Sequence, residues 1–200
     1  MLNKFLENSP LHQDAVNNKD YYHRLWERAV IDEFKFLTND EIKNKLRQTA
    51  FPFAVLFENI VGDFNLGSGI RNANAFNAKE VFYSGRKRWD KRGAVGSMCY
   101  VDITWMASIE EILELKSKYV FVGVENCEGS NSINNYSYED NSLFIFGEEG
   151  VGMSKLMQSH CDEMIMIEQF GSVRSLNVAT ASGIIMNDYV TKYKRKQNEY

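Results

Sequence analysis

The rhythm of hydrophobic and polar positions changes once along this chain, near residue 50. Before it, Tyr21, Tyr22, Leu25, Trp26, Ala29, Val30 and Phe34 recur at spacings of three and four, the signature of one helix face. Thr38 stands ahead of Asn39, Asp40 and Glu41 as an N-cap, which predicts a second short helix. From Phe51 onward, short apolar runs replace that pattern: residues 53–57 (FAVLF), 81–83, 119–124 (YVFVGV), 143–146 (LFIF) and 164–167 (MIMI), with residues 101–105 as a further strand candidate. Runs of four to six apolar residues read as strands buried on both faces.

Helical stretches are predicted between these runs, at residues 66–77, 109–118, 153–160 and 176–196. The second begins after Ser108 and carries Glu110 and Glu111 in its first turn, where a cap and negative charge stabilise a helix start. Strands alternating with helices predict an α/β domain with a mainly parallel sheet and helices on both faces. The domain is placed at residues 51–200, with residues 1–50 as a helical N-terminal extension. Sheets of this kind bind ligands beyond the carboxyl ends of their strands. The loops after residues 57, 146 and 167 are therefore the candidate site.

Composition narrows the function class. Of 200 residues, 44% are apolar and 13% aromatic, enough for a core. The net charge of −4 is too small to argue for or against an RNA partner, because local patches decide that. The three cysteines are far apart and form no CxxC pair, which speaks against a disulfide framework or a zinc site. No signal peptide is recognisable at the start, and no window approaches the roughly 20 apolar residues of a membrane span. A soluble, cytoplasmic protein without a membrane partner is expected.

Four stretches could carry chemistry. Asn65 and Arg71 lie six apart after the first strand, where a guanidinium suits a phosphate or is an ordinary surface arginine. Residues 147–152 (GEEGVG) allow close backbone approach at a strand end. Their carboxylates disfavour a nucleotide phosphate and suit a cationic or neutral ligand; a tight turn with solvated acids is the plainer reading. Residues 86–92 (RKRWDKR) place five cations around Trp89, a composition that can follow an RNA backbone while the indole stacks, or that is simply solvated. In the fourth, Ser175 and Asn177 sit where a loop enters the last helix, followed by the small residues Ala179, Thr180, Ala181, Ser182 and Gly183. None of the three histidines falls in these loops, so neither a Ser-His-Asp set nor a metal cluster is expected.

Taken in order, three of these loops resemble the signature motifs of the SpoU/TrmH family in the SPOUT superfamily of RNA methyltransferases. They are residues 65–76 (NLGSGIRNANAF), 146–153 (FGEEGVGM) and 167–179 (IEQFGSVRSLNVA). The likeness covers about residues 51–190. It implies a deep trefoil knot at the C-terminus, a homodimer through the knot region, and S-adenosylmethionine (SAM) as methyl donor without a metal. It assigns Gly147, Ile167 and Leu176 to the cofactor site. It makes Arg71, Asn65, Glu149, Ser175 and Asn177 the catalytic set, and 2′-O-methylation of a ribose in structured RNA the reaction. RNA contact falls to the N-terminal helices, to Arg86, Lys87, Arg88, Trp89 and Arg92 of loop 86–92, and to the dimer groove. Asn72 and Glu148 depart from the family pattern, which usually has Thr or Ser at the first and an uncharged residue at the second. tRNA is favoured over rRNA because no separate RNA-binding domain is recognisable. The alternative is a non-catalytic, knotted RNA-binding protein.

Overall fold

The computed structural model describes residues 30–60, 63–148 and 150–198. The chain divides into two compact units, Met1–Thr38 and Asn39–Tyr200. In the first, the described residues form a single 3-10 turn, Asp32–Phe34. Tyr21, Tyr22, Leu25, Trp26 and Ala29 of the expected helix face lie outside the described residues, as does Glu149.

The second unit begins with α1 (Asn39–Gln48), immediately after Thr38. Grouped by sequence with the extension, this helix is clamped to the sheet domain instead. Arg47 makes two hydrogen bonds to the Asp102 carboxylate, of 2.8 and 2.7 Å, and Lys43 lies 2.8 Å from it. The Arg47 guanidinium, with help from Lys43, holds the Asp102 carboxyl well below its ordinary range, down to about 2.

Seven parallel strands form one sheet, in the order β3-β2-β1-β6-β4-β7-β5. They are β1 (Phe51–Phe57), β2 (Ala78–Ser84), β3 (Ile103–Met106), β4 (Val120–Val124), β5 (Asn131–Ser132), β6 (Ser142–Phe146) and β7 (Glu163–Met166). The helices between them are α2 (Asp63–Ala75), α3 (Ile109–Glu114), α4 (Lys155–His160) and α5 (Val178–Asn198). β6 is buried along its whole length, as a continuous apolar run in a doubly covered sheet should be.

Alternation along β1 sorts the helices by face. Phe53, Val55 and Phe57 meet Leu66 and Ile70 of α2 and Ile185, Met186 and Tyr189 of α5 in one core. Ala54 and Leu56 point the other way, into a second core with Ile112 of α3 and Met157 of α4. The two-period of a strand thus places the two long helices together on one side.

The structure differs from expectation in three further places. The predicted 109–118 helix stops at Glu114 and finishes as a 3-10 turn, Leu115–Ser117. The 126–141 loop contains the two-residue β5, which pairs with β7 through Asn131 and Ser132. Both residues are polar and the strand is too short to leave a periodic signal. Finally, Asn65, expected in a loop, lies in the first turn of α2, because that helix begins at Asp63.

Candidate active site

The carboxyl ends of β1, β4, β6 and β7 meet at one edge of the sheet. The loop leaving β6 is tied down by three carboxylates. Glu125, one residue past β4, accepts a hydrogen bond from Met153 N at 2.9 Å. Glu58, one residue past β1 and buried, accepts from Ser154 N at 2.9 Å and from Ser154 Oγ at 2.5 Å. Ser154 in turn caps α4 by accepting from Met157 N at 3.1 Å. Glu148 accepts from Val151 N at 2.9 Å, and its backbone carbonyl accepts from Gly152 N at 2.8 Å. Gly147 starts the turn because nothing larger fits: a Cβ there would lie 2.1 Å from Met153 N.

The loop between β7 and α5 is its opposite. Phe170 is 93% exposed and Val173 62%. The Gln169 side-chain oxygen is buried without a partner among the described residues. Hydrogen bonding resumes at Asn177, which does two things at once. Its Oδ1 accepts from Ala179 N at 3.0 Å and Thr180 N at 3.3 Å, capping α5. Its Nδ2 donates to Asn65 Oδ1 at 2.9 Å, so the first and third candidate loops are joined directly.

Asn72 makes a second joint between α2 and α5. Its Nδ2 donates to Ala179 O at 2.7 Å and to Ser182 Oγ at 3.2 Å. The small face of α5 is thus filled by the Asn72 amide: a Cβ on Gly183 would stand 3.2 Å from that nitrogen. Arg71, the residue before Asn72, is exposed on α2 and makes no hydrogen bond or ion pair among the described residues. It lies one turn beyond Gly67, the point where Gly93 and Ala94 come so close that a Cβ would meet Ala94 N at 2.8 Å. Residues one turn apart share a helix face, so Arg71 emerges on the side against which Gly93 and Ala94, the residues just after the basic segment, pack.

Within that basic segment the five predicted RNA contacts separate. Trp89 is half-buried, edge-on to Tyr83 with ring centroids 6.5 Å apart, and anchors the loop instead of standing free. The Lys87 ammonium lies over the Trp105 ring, 4.6 Å from its centre. Arg92 is hydrogen-bonded to Asp90 and sits 5.3 Å from the centre of the Phe64 ring; hydrogen bonds from Arg92 hold the Asp90 carboxyl below its usual range. Arg86 and Arg88 are exposed, with no partner among the described residues.

A cavity of about 240 Å³ opens between the two strand-end loops. Of the three residues that the resemblance assigns to the cofactor, Gly147 and Leu176 line this cavity, while Ile167 is half-buried against the core; Ser175, of the expected catalytic set, lines it too. Sequence reasoning missed Glu125, Phe146 and Arg174, which also line it. Among the described residues no group of three or more His, Cys, Asp or Glu side chains gathers as a metal site. Burial pushes the Cys161 thiol up to about 12, which removes it as a nucleophile at neutral pH.

Residues 52–187 match the SpoU rRNA Methylase family. The chain belongs to that family. Among its relatives is the 23S rRNA (guanosine-2′-O-)-methyltransferase RlmB of Neisseria meningitidis, 26% identical over 145 residues, which are 68% of this chain and 57% of the relative. The RlmB of Photorhabdus laumondii is 27% identical over 157 residues, 76% of this chain and 64% of that one. The chain therefore spans only about three fifths of the length of these two relatives. Among solved structures, the SpoU methyltransferase AviRb of Streptomyces viridochromogenes in complex with the cofactor AdoMet superposes with a TM-score of 0.65 at 25% identity, covering 72% of this chain and 58% of that one. The A. aeolicus TrmH/SpoU tRNA modifying enzyme shares the fold, with a TM-score of 0.70 at 21% identity over 80% of this chain and 87% of that one. The family match begins within β1 and ends within α5, so it takes in every strand and all three candidate loops. No helix among the described residues is long and apolar enough to cross a membrane.

Proposed function

We propose that this chain transfers a methyl group from SAM to a ribose 2′-hydroxyl of ribosomal RNA. The observation that carries the reading is the Asn177–Asn65 hydrogen bond, which joins the loop beside the cavity to the helix bearing Arg71. The activities for which the RlmB relatives are named support ribosomal RNA as the substrate class, and the preference for tRNA drawn from the sequence gives way to it.

The cavity suits SAM by the chemistry of its walls. Val124, Phe146, Leu176 and Val178 offer apolar surface for a purine, while Glu125, Glu148 and Arg174 offer charge of both signs for an amino-acid end and a sulfonium. When bound, SAM supplies a methyl group already activated on positively charged sulfur. Arg71 would hold the target phosphate and stabilise the oxyanion that forms as the hydroxyl loses its proton, since a guanidinium is a poor base but a strong, permanent cation. Asn177 fixes Asn65, and Asn65 would orient the ribose beside Arg71. Ser175, on the cavity wall, would position the ribose and cofactor, and Glu149 would orient Arg71. Holding the two reactants in line supplies much of the rate acceleration.

In the same reading the chain works in the cytoplasm as a homodimer through a C-terminal trefoil knot, with Arg71 facing the cavity of the partner protomer. The exposed Phe170 and Val173 of the untied loop, and the open groove along Asn65, Ser68, Thr180 and Ile184, are the surfaces that such a partner would cover. Arg86 and Arg88 would follow the RNA backbone.

The test is methyl transfer from labelled SAM to ribosomal RNA, read as 2′-O-methyl nucleoside. Arg71→Ala should lower the rate by at least about a hundredfold at unchanged thermal stability. Absence of transfer and of SAM binding, with RNA binding retained, would replace this reading by the non-catalytic RNA-binding one.

A further inference from the structure

The cofactor cavity carries an excess of carboxylate over cation. Glu125 and Glu148 line it, against Arg174 alone among the cations of its lining. Both carboxylates are locked in place by the same turn. Glu125 accepts from Met153 N at 2.9 Å through Oε2 and from Asn126 N at 3.1 Å through Oε1. Glu148 accepts from Val151 N at 2.9 Å. Gly152 stands between them: it donates its N–H to the Glu148 carbonyl at 2.8 Å, and a Cβ on it would lie 2.6 Å from Glu125 Oε2. Such pre-positioned charge needs no rearrangement to act on a ligand. Nor does the fold require an acid at residue 148, because glutamine offers the same acceptor oxygen to Val151 N.

We propose that Glu125 and Glu148 make the cavity read the charge on the cofactor's sulfur, and so separate substrate SAM from product S-adenosylhomocysteine (SAH). This rests on the SAM-dependent reading above. In the reaction the carbon–sulfur bond to the methyl group breaks, its electron pair stays on sulfur, and the carbon–oxygen bond to the ribose forms. The hydroxyl proton leaves to solvent. The ligand therefore loses one unit of positive charge and little of its shape. A site built only on shape and hydrogen bonds would hold both forms alike. Two fixed carboxylates bind the cationic form better, because specificity is a difference of affinities and the attraction vanishes on transfer. Product release is thereby built into the loop that holds the substrate.

Calorimetric titration of the full chain with SAM and, separately, with SAH tests this. The quantity is the ratio of the two Kd values, SAH over SAM. In Glu148→Gln that ratio should fall roughly threefold to tenfold, mainly through weaker SAM binding, the size expected of one partly solvated charge pair. Glu125→Gln should move it the same way. Glu128→Gln, which removes an exposed charge outside the cavity lining, should leave it unchanged. An unchanged ratio in Glu148→Gln with both ligands still bound would overturn the proposal. So would equal weakening of both ligands, which would mark a merely structural role, or an equal shift in Glu128→Gln. If the unaltered protein binds neither ligand, the SAM-dependent reading falls and this inference falls with it.

Discussion

The two loops that flank the cavity are built on opposite principles. Residues 147–153 are stitched to the strand ends by Glu58 and Glu125 and braced from within by Glu148, each accepting from a backbone N–H within the loop or at its exit. Residues 169–176 make no hydrogen bond among the described residues, expose Phe170 and Val173, and leave the Gln169 oxygen unpaired. One wall of the cavity is thus fixed by the chain itself. The other has the character of a surface completed by something else, and the partner protomer and cofactor of the proposed reading are the candidates. The difference also separates stability from function: the tied loop costs folding energy when disturbed, while the untied loop should cost only binding.

The largest effect should come from Gly147→Ala. The added methyl would meet the Met153 backbone at 2.1 Å, and backbone cannot step aside as a side chain can. A loss of about 3 kcal/mol in denaturant stability, with cofactor binding abolished, is expected. A variant that keeps both would break the account of the tied loop. Next is Glu58→Ala, which strips the Ser154 N–H and hydroxyl of their buried acceptor. About 2 kcal/mol should be lost in urea unfolding, with α4 fraying first in hydrogen exchange.

Asp102 supplies a comparable tie far from the cavity and so works as a control. Its carboxyl is held down to about 2, mainly by Arg47, so this contribution is fully present above the ordinary carboxylate range near pH 4 and is lost as pH falls toward 2. The group is partly solvated, so screening limits its worth. Asp102→Asn should cost about 1 kcal/mol or less, and the cost should vanish in unfolding measured near pH 2. Cofactor affinity should not change. The smallest change in stability, within about 0.5 kcal/mol, is expected for Phe170→Ser in the untied loop. The same variant should nevertheless weaken self-association in sedimentation, and a destabilisation like that of Glu58→Ala would show the loop to be tied after all.

The sequence made one of these loops legible and hid the workings of both. The strands announce themselves, because residues 53–57 and 143–146 are apolar throughout and such runs have few other uses. The glycines of residues 147–152 mark a close approach, and Asn177 stands where a cap belongs. What periodicity cannot reveal is pairing at long range. Asn65 and Asn177 are 112 residues apart, and Glu58 and Ser154 are 96 apart. Glu58 and Glu125 each stand one residue beyond a strand, which is the position where a side chain reaches a neighbouring loop. Only the strand order shows which loop that is. Trp89 illustrates the opposite case: amid five cations it reads as a free stacking residue, yet it is half-buried against the core beside Tyr83.

The proposed reaction ends on a single ribose. The most direct measurement maps 2′-O-methyl groups in the ribosomal RNA of cells with and without this protein. One ribose should lose its methyl group in the deletion, regain it when the unaltered chain is restored, and remain unmethylated when Arg71→Ala is supplied instead. Identical maps with and without the protein, or full restoration by Arg71→Ala, would contradict it.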